Sequence, residues 1–392
     1  MTDKKLPFIE FFAGVGLVHE ALRPLGWHPV LANDNDPKKV EAYRLNYPDV
    51  AFSDESVEHL DVTRVERPLL VTASFPCVDV SQAGGRVGLS GARSGLVWDF
   101  LRRVDDLIGV GKRPDFILIE NVPGLISHTG RSVDAMLDVL AELGYTFDLV
   151  QVDARRFLPQ ARNRVFVVAV AKAIATGLCR SFVPTHIRRH NVREVYLRNK
   201  HLPWVFFDFP HETPSRSVAL EDVIERLPPD DPRWWDAERM AYFWDRLESR
   251  SGHDARLRTM VESEGRHVLT AVRRGRRRGT PYGEQIIHLR EDGLASCLRT
   301  AGGGSSVQFV VEVDAGEARV RRLLGIESAR LQGVCLPDSA PDFKLVGPDT
   351  QILNAFGDAV CVPVVRWVVA NSIQRVLEGD VEPRDQLALL AS

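Results

Sequence analysis

A doubly wound, Rossmann-like α/β domain carrying a smaller inserted domain is the fold class that this sequence predicts. Through the first 170 residues, short continuous apolar runs alternate with stretches that are apolar at helical spacing. That is the pattern of parallel strands covered on both faces by helices. Past Ala171 the alternation stops, and from Val320 helical patterns return. The chain has 392 residues, 44% of them apolar and 26% charged. Such a composition suits a globular protein of two or three domains and excludes disorder as its main state.

Residues 7–12 (PFIEFF) read as a strand followed by a Gly-containing turn. Residues 15–23 read as a helix, with Val15, Val18 and Leu22 at helical spacing, ended by Pro24 and Gly26. Residues 28–32 form a second strand, followed by a helix through 39–46. Residues 69–73 and 116–119 are further buried strands, with helices at 96–108 and 133–143. Residues 145–152 and 164–170 are late strands suited to pairing as a hairpin. Residues 178–250 cluster Pro, Trp and charge without βα alternation. Residues 251–300 carry the Arg-rich VRRGRRRGTPYG and the strand-like QIIHLR, and a Gly-rich segment at 299–306 follows. Helices are expected again at 321–331 and 364–377. The expected organisation is a main domain begun by residues 1–171, an inserted domain at 172–305, and a return segment at 306–392 that completes the main domain.

The 50 basic and 53 acidic residues leave a net charge of −3, weak evidence against a nucleic-acid partner. The charge is unevenly placed, however. Residues 178–200 hold six basic residues and one acid, 251–300 ten Arg and six acids, and 201–250 between them six Arg and eleven acids. Two basic segments thus flank an acidic one, and the whole-chain value is the wrong scale. The five cysteines (Cys77, Cys179, Cys297, Cys335, Cys361) are widely spaced, without a CxxC or Cys/His ligand cluster. Neither a disulfide scaffold nor a metal site is expected. The start, MTDKKLPFIEFF, lacks the apolar stretch of a signal peptide, and the apolar run at 165–171 is too short to cross a bilayer. A cytoplasmic protein with no membrane partner is expected.

Ligands of an open parallel sheet bind beyond the carboxyl ends of its strands. After the first strand comes Ala13-Gly14-Val15-Gly16, where glycines allow a tight turn and close approach of backbone to ligand. After the second comes Asn33-Asp34-Asn35-Asp36, with Asp34 20 residues beyond Gly14, the spacing of an acid that grips ribose hydroxyls. The third glycine of a GxGxxG is absent, because His19 holds its place. Residues 69–73 lead into Ser74-Phe75-Pro76-Cys77, and residues 116–119 into Glu120-Asn121-Val122-Pro123. A thiolate of lowered pKa is a strong nucleophile. A carboxyl in an enclosed site tends towards a raised pKa and can share a proton with a ring nitrogen of a bound base. Arg162 and Arg164 stand at alternate positions of an extended stretch, a pattern that suits a salt-bridge ladder, a phosphate or a carbonyl oxygen.

Taken in order, these motifs resemble the cytosine-5-specific DNA methyltransferases, and the resemblance covers nearly the whole chain. Phe12-Ala13-Gly14-Val15-Gly16 resembles the FxGxG cofactor turn. Asn33-Asp34-Asn35-Asp36 with Tyr43 and Asn46 resembles the second motif, and Asp61-Val62 the pair at the adenine. Ser74–Cys77 with Ser81, Ala83 and Gly84 resembles the catalytic loop, and Arg93-Ser94-Gly95-Leu96 the motif after it. Glu120-Asn121-Val122 is the ENV motif unchanged, Gln160, Arg162 and Arg164 match QxRxR, and Gly357-Asp358-Ala359-Val360 resembles the final motif. Two departures stand out. The usual PCQ reads Pro76-Cys77-Val78, and the usual GN-x-V carries Asp358, which accepts hydrogen bonds but lacks the donor of Asn.

The resemblance implies transfer of a methyl group from S-adenosylmethionine to carbon 5 of a cytosine flipped out of duplex DNA. Cys77 would be the nucleophile at carbon 6 and Glu120 would hold N3 and the amine. Arg164 would bind the ring carbonyl oxygen, and Arg162 a phosphate or the loop itself. Asn121 would orient the Pro76-Cys77 turn. Phe12, Gly14, Gly16, Asp34, Asp61, Leu96, Asp358 and Val360 would hold the cofactor. Ser81, Arg93 and the run Arg273, Arg274, Arg276, Arg277 and Arg278 would contact DNA, the run lying in an inserted domain for target recognition. The compact length suggests a monomer of restriction-modification type, bacterial or phage-derived, with a cognate endonuclease acting separately. Transfer RNA as the substrate, or a catalytically silent DNA-binding regulator, are the competing expectations.

Overall fold

The computed structural model describes residues 5–76, 95–127, 132–247, 252–263, 265–275, 285–300, 306–337 and 343–379. The chain divides into two compact units. The first holds residues 1–153, 163–213 and 362–392, and the second residues 154–162 and 214–361. These bounds differ from the expected 172–305 insertion. Residues 172–213 stay with the first unit, while 154–162 and 306–361 belong to the second.

The first unit is built on a seven-stranded sheet. Its strands are β1 (Leu6–Phe11), β2 (Trp27–Asn33), β3 (Phe52–Ser53), β4 (Leu70–Ala73), β5 (Phe116–Asn121), β6 (Tyr145–Asp153) and β7 (Asn163–Ala171). Their order is β3-β2-β1-β4-β5-β7-β6. The first five pair in parallel, and β7 lies antiparallel between β5 and β6. This is the doubly wound order 3-2-1-4-5-6 with one antiparallel strand inserted. The expected hairpin is thus present, as β6 and β7. Up to residue 213 its α-helices are α1 (Leu17–Leu22), α2 (Pro37–Asn46), α3 (Leu96–Gly109), α4 (Ser132–Glu142) and α5 (His190–Arg198). Strands β4, β5 and β7 are buried almost end to end, and Val97, Phe100, Leu101 and Val104 of α3 pack on one face of the sheet.

Residues 172–213 are held to this unit by a buried clamp. Arg188 pairs bidentately with Asp148 of β6, its Nε 3.0 Å from Oδ1, and also donates to the Phe207 carbonyl at 2.7 Å. The guanidinium lies against the rings of Phe206 and Phe209, and both charged side chains are almost wholly buried.

The second unit contains α6 (Leu220–Val223), α7 (Ala237–Arg246), α8 (His253–Glu262), β8 (His267–Gly275) and β9 (Gln285–Arg290). It continues through β10 (Gln308–Asp314), β11 (Glu317–Arg322), α9 (Gly325–Gln332) and α10 (Asp349–Asp358). Its four strands form an antiparallel sheet, β11-β10-β8-β9. The helix expected at 321–331 starts only at Gly325, because Val320 and Arg321 are spent on pairing with β10. Arg321 is fully buried and pairs with Glu327, which also accepts the Leu324 N–H at 2.7 Å.

The chain then returns to the first unit as α11 (Val362–Ala370) and α12 (Ile373–Glu378). The single helix expected at 364–377 is therefore two, broken where Asn371 and Ser372 turn their side chains back onto Trp367 and Val368 carbonyls. The stretch Asp349–Glu378 has the length and apolar composition of a membrane span, but 61% of its most apolar window is buried within the protein. Arg188→Met strands a buried Asp148 carboxylate. It is expected to cost about 3–5 kcal/mol in urea unfolding, and Asp148→Asn in the same chain to recover part of that loss.

Candidate active site

The sheet registers set the site. Phe11 pairs with Asn33 on one side and Ala73 on the other, and Ala73 pairs with Ile119. Asp34, Phe12, Ser74 and Glu120 are therefore the next residues along four adjacent strands, at one level. The row lies at the carboxyl edge, where strand order reverses between β1 and β4, the place where doubly wound sheets bind ligands. The Phe12 and Phe75 rings meet edge to face there, with centroids 6.3 Å apart.

The turn after β1 is tightly held. Phe12, Gly14 and Gly16 have φ of 55°, 56° and 89°, three left-handed residues within five. The Gly14 N–H donates to Asp34 Oδ2 at 2.8 Å, and the Asp36 N–H donates to Oδ1 at 3.0 Å. A carboxylate offers about four acceptor positions, which leaves room for hydroxyl donors. A Cβ on Gly16 would fall 2.4 Å from a ring carbon of Tyr47. His19, in the place of the third glycine, is buried and packs on Tyr47 with the rings tilted and their centroids 4.1 Å apart. Burial pushes its pKa down to about 4, so the ring is neutral at physiological pH. Aromatic packing here replaces the close backbone approach that a third glycine would serve.

Glu120 and Arg164 meet on β5 and β7. Glu120 pairs with Phe166, so Arg164 is its diagonal neighbour on the same face. Arg164 Nε lies 2.9 Å from Glu120 Oε1 with both side chains largely buried, as an ion pair rather than an aligned hydrogen bond. Asn121 donates to the Phe75 carbonyl at 2.9 Å and accepts the Val122 N–H. It thereby fixes the chain two residues before Cys77.

Asp61 and Leu96, the other cofactor candidates of this unit, are not strand-end residues. Asp61 is exposed and accepts both the N–H and the hydroxyl of Thr63, at 2.9 and 2.6 Å. These bonds, hydroxyl first, hold its carboxyl below the ordinary range. Leu96 opens α3, half-buried against the core.

Arg162 does not share the surroundings of Arg164. It belongs to the second unit and is buried, donating to the carbonyls of Leu298 (2.9 Å), Gly357 (3.3 Å) and Ala359. Gln332 donates to Phe356 O at 2.7 Å and Ala359 O at 3.2 Å. The carbonyls at the end of α10, which no helical N–H reaches, are thus satisfied by a cation and an amide. Asp358 accepts the Thr300 hydroxyl at 2.6 Å, so this departure from Asn has its own donor. Gly357 is required there, because a Cβ would fall 2.5 Å from the Arg299 carbonyl carbon. Val360 is buried.

Of the DNA-contact candidates, Arg273 and Arg274 lie on β8 opposite Ile287 and Ile286, the second exposed. Cys77, Ser81, Arg93, Arg276, Arg277 and Arg278 lie outside the described residues. Among the described residues no group of His, Cys, Asp or Glu could hold a metal ion. Thr300 and Gln332 lie in 298–306 and 327–337, stretches that resemble the one before the family's final motif, but the sequence assigns them no role of their own. Glu10 escaped the sequence reading, because an acid inside an apolar run carries no motif.

The fold and the residues at its switch point define a Rossmann-like α/β enzyme. A family model described as C-5 cytosine-specific DNA methylase matches residues 6–375, and the chain belongs to that family, whose enzymes use S-adenosylmethionine. The chain is 37% identical to Type II methyltransferase M2.BsuMI of Bacillus subtilis over 163 residues, 41% of either chain, so that it spans under half of that relative. It is 26% identical to Type II methyltransferase M.DsaV of Dactylococcopsis salina over 378 residues, 96% of this chain and 88% of the other. In fold it is similar to the S. pombe Dnmt2 methyltransferase, with a TM-score of 0.57 and 16% identity over 96% of this chain and 99% of that one.

Gly16→Ala is expected to weaken S-adenosylmethionine binding at least tenfold, and the left-handed backbone alone to cost about 1–2 kcal/mol. Adding Tyr47→Ala removes the clashing ring and is expected to return part of the binding. Calorimetry on the two variants checks this.

Proposed function

We propose that this chain methylates carbon 5 of cytosine within a specific duplex sequence, as the modification enzyme of a restriction-modification system. The observation that carries the reading is the level row of Asp34, Phe12, Ser74 and Glu120 at the switch point, in a chain matching the family over residues 6–375. The left-handed Gly14–Gly16 turn and the spare acceptor positions of Asp34 fit a ribose-bearing cofactor. Phe12 stacks on its adenine, and Asp61 and Leu96 complete the contacts from this unit. Asp358 and Val360 carry the assignment of the family's final motif.

S-adenosylmethionine, when bound, supplies an electrophilic methyl group. Cys77 adds as thiolate to carbon 6 of the flipped cytosine. Glu120 shares a proton with N3 and accepts from the amine, so charge pushed into the ring is held and carbon 5 becomes nucleophilic. Arg164, oriented by Glu120, donates to the ring carbonyl oxygen. Once carbon 5 carries the methyl group, water takes the proton from that carbon and the Cys77 thiolate leaves. Asn121 holds the Phe75 carbonyl and so aims Cys77. Arg162 fixes the carbonyls on either side of Asp358.

The second unit reads the target. Arg273, Arg274 and residues 276–278 contact DNA, and Ser81 and Arg93 contact it from the loop after Cys77. The protein works as a monomer in the cytoplasm, beside a separate endonuclease.

Cys77→Ala is expected to abolish labelled methyl incorporation into duplex DNA while duplex binding persists. A comparable rate in that variant would remove the mechanism. Incorporation into transfer RNA instead of DNA would change the substrate. Bisulfite sequencing of DNA from expressing cells is expected to show cytosine-5 modification in one sequence context. Binding is expected to fall steeply with salt, by roughly 10³-fold or more between about 50 and 200 mM if six or more phosphates are contacted.

A further inference from the structure

Behind the Gly14–Gly16 turn lies a carboxyl that has no part in the sheet ladder or in the chemistry above. Glu10 is on β1 and fully buried. Its neighbours Ile9 and Phe11 face the main core, whereas Glu10 turns to the opposite side, towards α1 and α2. The Tyr43 hydroxyl donates to Glu10 Oε2 at 3.1 Å. The N–H groups of Val18 and His19, in the first turn of α1, lie against the carboxyl without closing an aligned bond to Oε1. Tyr43 packs on Tyr47, centroids 5.0 Å apart, and the Tyr47 hydroxyl reaches Gly16 O at 3.3 Å and Glu20 at 3.0 Å. At the other end of α1, Arg366 donates to the carbonyls of Ala21 (3.1 Å) and Glu20 (3.3 Å). The first turn of this short helix thus faces the Glu10 carboxyl, and its last carbonyls are held by a cation, as its dipole favours.

A buried carboxyl is costly, and an apolar side chain would fill the same space more cheaply. What Glu10 adds is direction, because it ties the elements on both sides of the turn to one strand. We propose that Glu10 is a positioning residue for the cofactor, setting the Gly14–Gly16 turn through the first turn of α1 and through Tyr43. The proposal rests on the reading of that turn as the S-adenosylmethionine site.

A pH dependence follows. Burial pushes the Glu10 carboxyl up to about 8, opposed by Tyr43 and the two N–H groups and reinforced by Asp34. The groups facing it are His19 and Glu20 from α1, Tyr43 from α2, Tyr47 just after it, and Asp34 after β2, with Arg366 of α11 at the far end of α1. Its register partners on β2 and β4 are the uncharged Ala32 and Thr72. His19 stays neutral above about 4, and burial raises both tyrosines above their ordinary range. The native state keeps a proton on Glu10 that the unfolded chain releases near 4.5, so this group's contribution to stability falls as pH rises from about 4.5 to about 8. Above that range an ionised Glu10 repels Asp34 and loosens the turn.

Calorimetry of the full chain with S-adenosylmethionine, from about pH 6.5 to about pH 9.5, reads this. Glu10→Gln keeps a neutral acceptor for Tyr43. It is expected to bind within about threefold of wild type at the low end and about tenfold tighter than wild type at the high end. The cofactor's own amine titrates in both proteins alike. Glu10→Ala is expected to raise KM for S-adenosylmethionine at least tenfold with kcat changed less than about threefold. Tyr43→Phe, which keeps the ring, is expected to raise KM severalfold. Parallel pH slopes for wild type and Glu10→Gln would overturn the proposal while leaving the cofactor site in place. An unchanged KM in both Glu10→Ala and Tyr43→Phe would do the same. A wild-type chain that binds no S-adenosylmethionine would overturn both readings.

Discussion

Four parallel strands of the first unit are in register at their carboxyl ends, and the placement of its candidate site depends on that register. Hydrogen bonding of β1 to β2 on one side and to β4 on the other puts Asp34, Phe12 and Ser74 in line, and β5 adds Glu120. A slip of one residue in any of these pairings would turn a functional side chain to the opposite face of the sheet. The burial of β4 and β5 along their whole length makes such a slip costly. Precision at the edge therefore comes from the apolar interior, from residues that take no part in the chemistry.

Polar groups then refine what the register sets. Asn121 ties the loop after β4 to the end of β5. Asp34 ties the turn after β1 to the end of β2. Arg164 links β7 to β5 through Glu120. Each contact joins neighbouring strands at or just past the end of their backbone pairing. The edge thus keeps a fixed geometry where ladder hydrogen bonds no longer supply it, as a preorganised site needs.

Much of this was legible in the sequence. The runs at 7–12, 69–73 and 116–119 announced buried strands because both faces are apolar, and the motifs at their ends pointed to the edge. The second unit was harder to read. The strands β10 and β11 pair antiparallel with each other across the Ala315–Gly316 turn, yet the Arg-rich 317–322 looks like the start of a helix. Its alternation is blurred because Arg321 points inward, neutralised by Glu327. Arg162 and Arg164 posed a related problem. Alternate residues share a face only within one strand, and β7 begins at Asn163. Two residues of spacing therefore separated a strand side chain from one that caps α10. Glu10 was invisible for a plainer reason: an acid inside PFIEFF carries no motif, and its burial follows from tertiary packing.

The path of the chain between the two units bears on how segments of this architecture can be exchanged between relatives. The second unit is not a single cassette, because residues 154–162 enter it ahead of the long stretch at 214–361. Through Gln160 and Arg162 this short excursion bonds Leu298, Leu331, Gly357 and Ala359. A graft exchanging only the long stretch between relatives would bring in foreign partners for two buried polar side chains and leave their hydrogen bonds to chance. Productive exchange of the second unit would have to carry the nine residues at 154–162 along, or keep the carbonyls that they meet. Exchange of segments in this architecture is then constrained by a short excursion of nine residues.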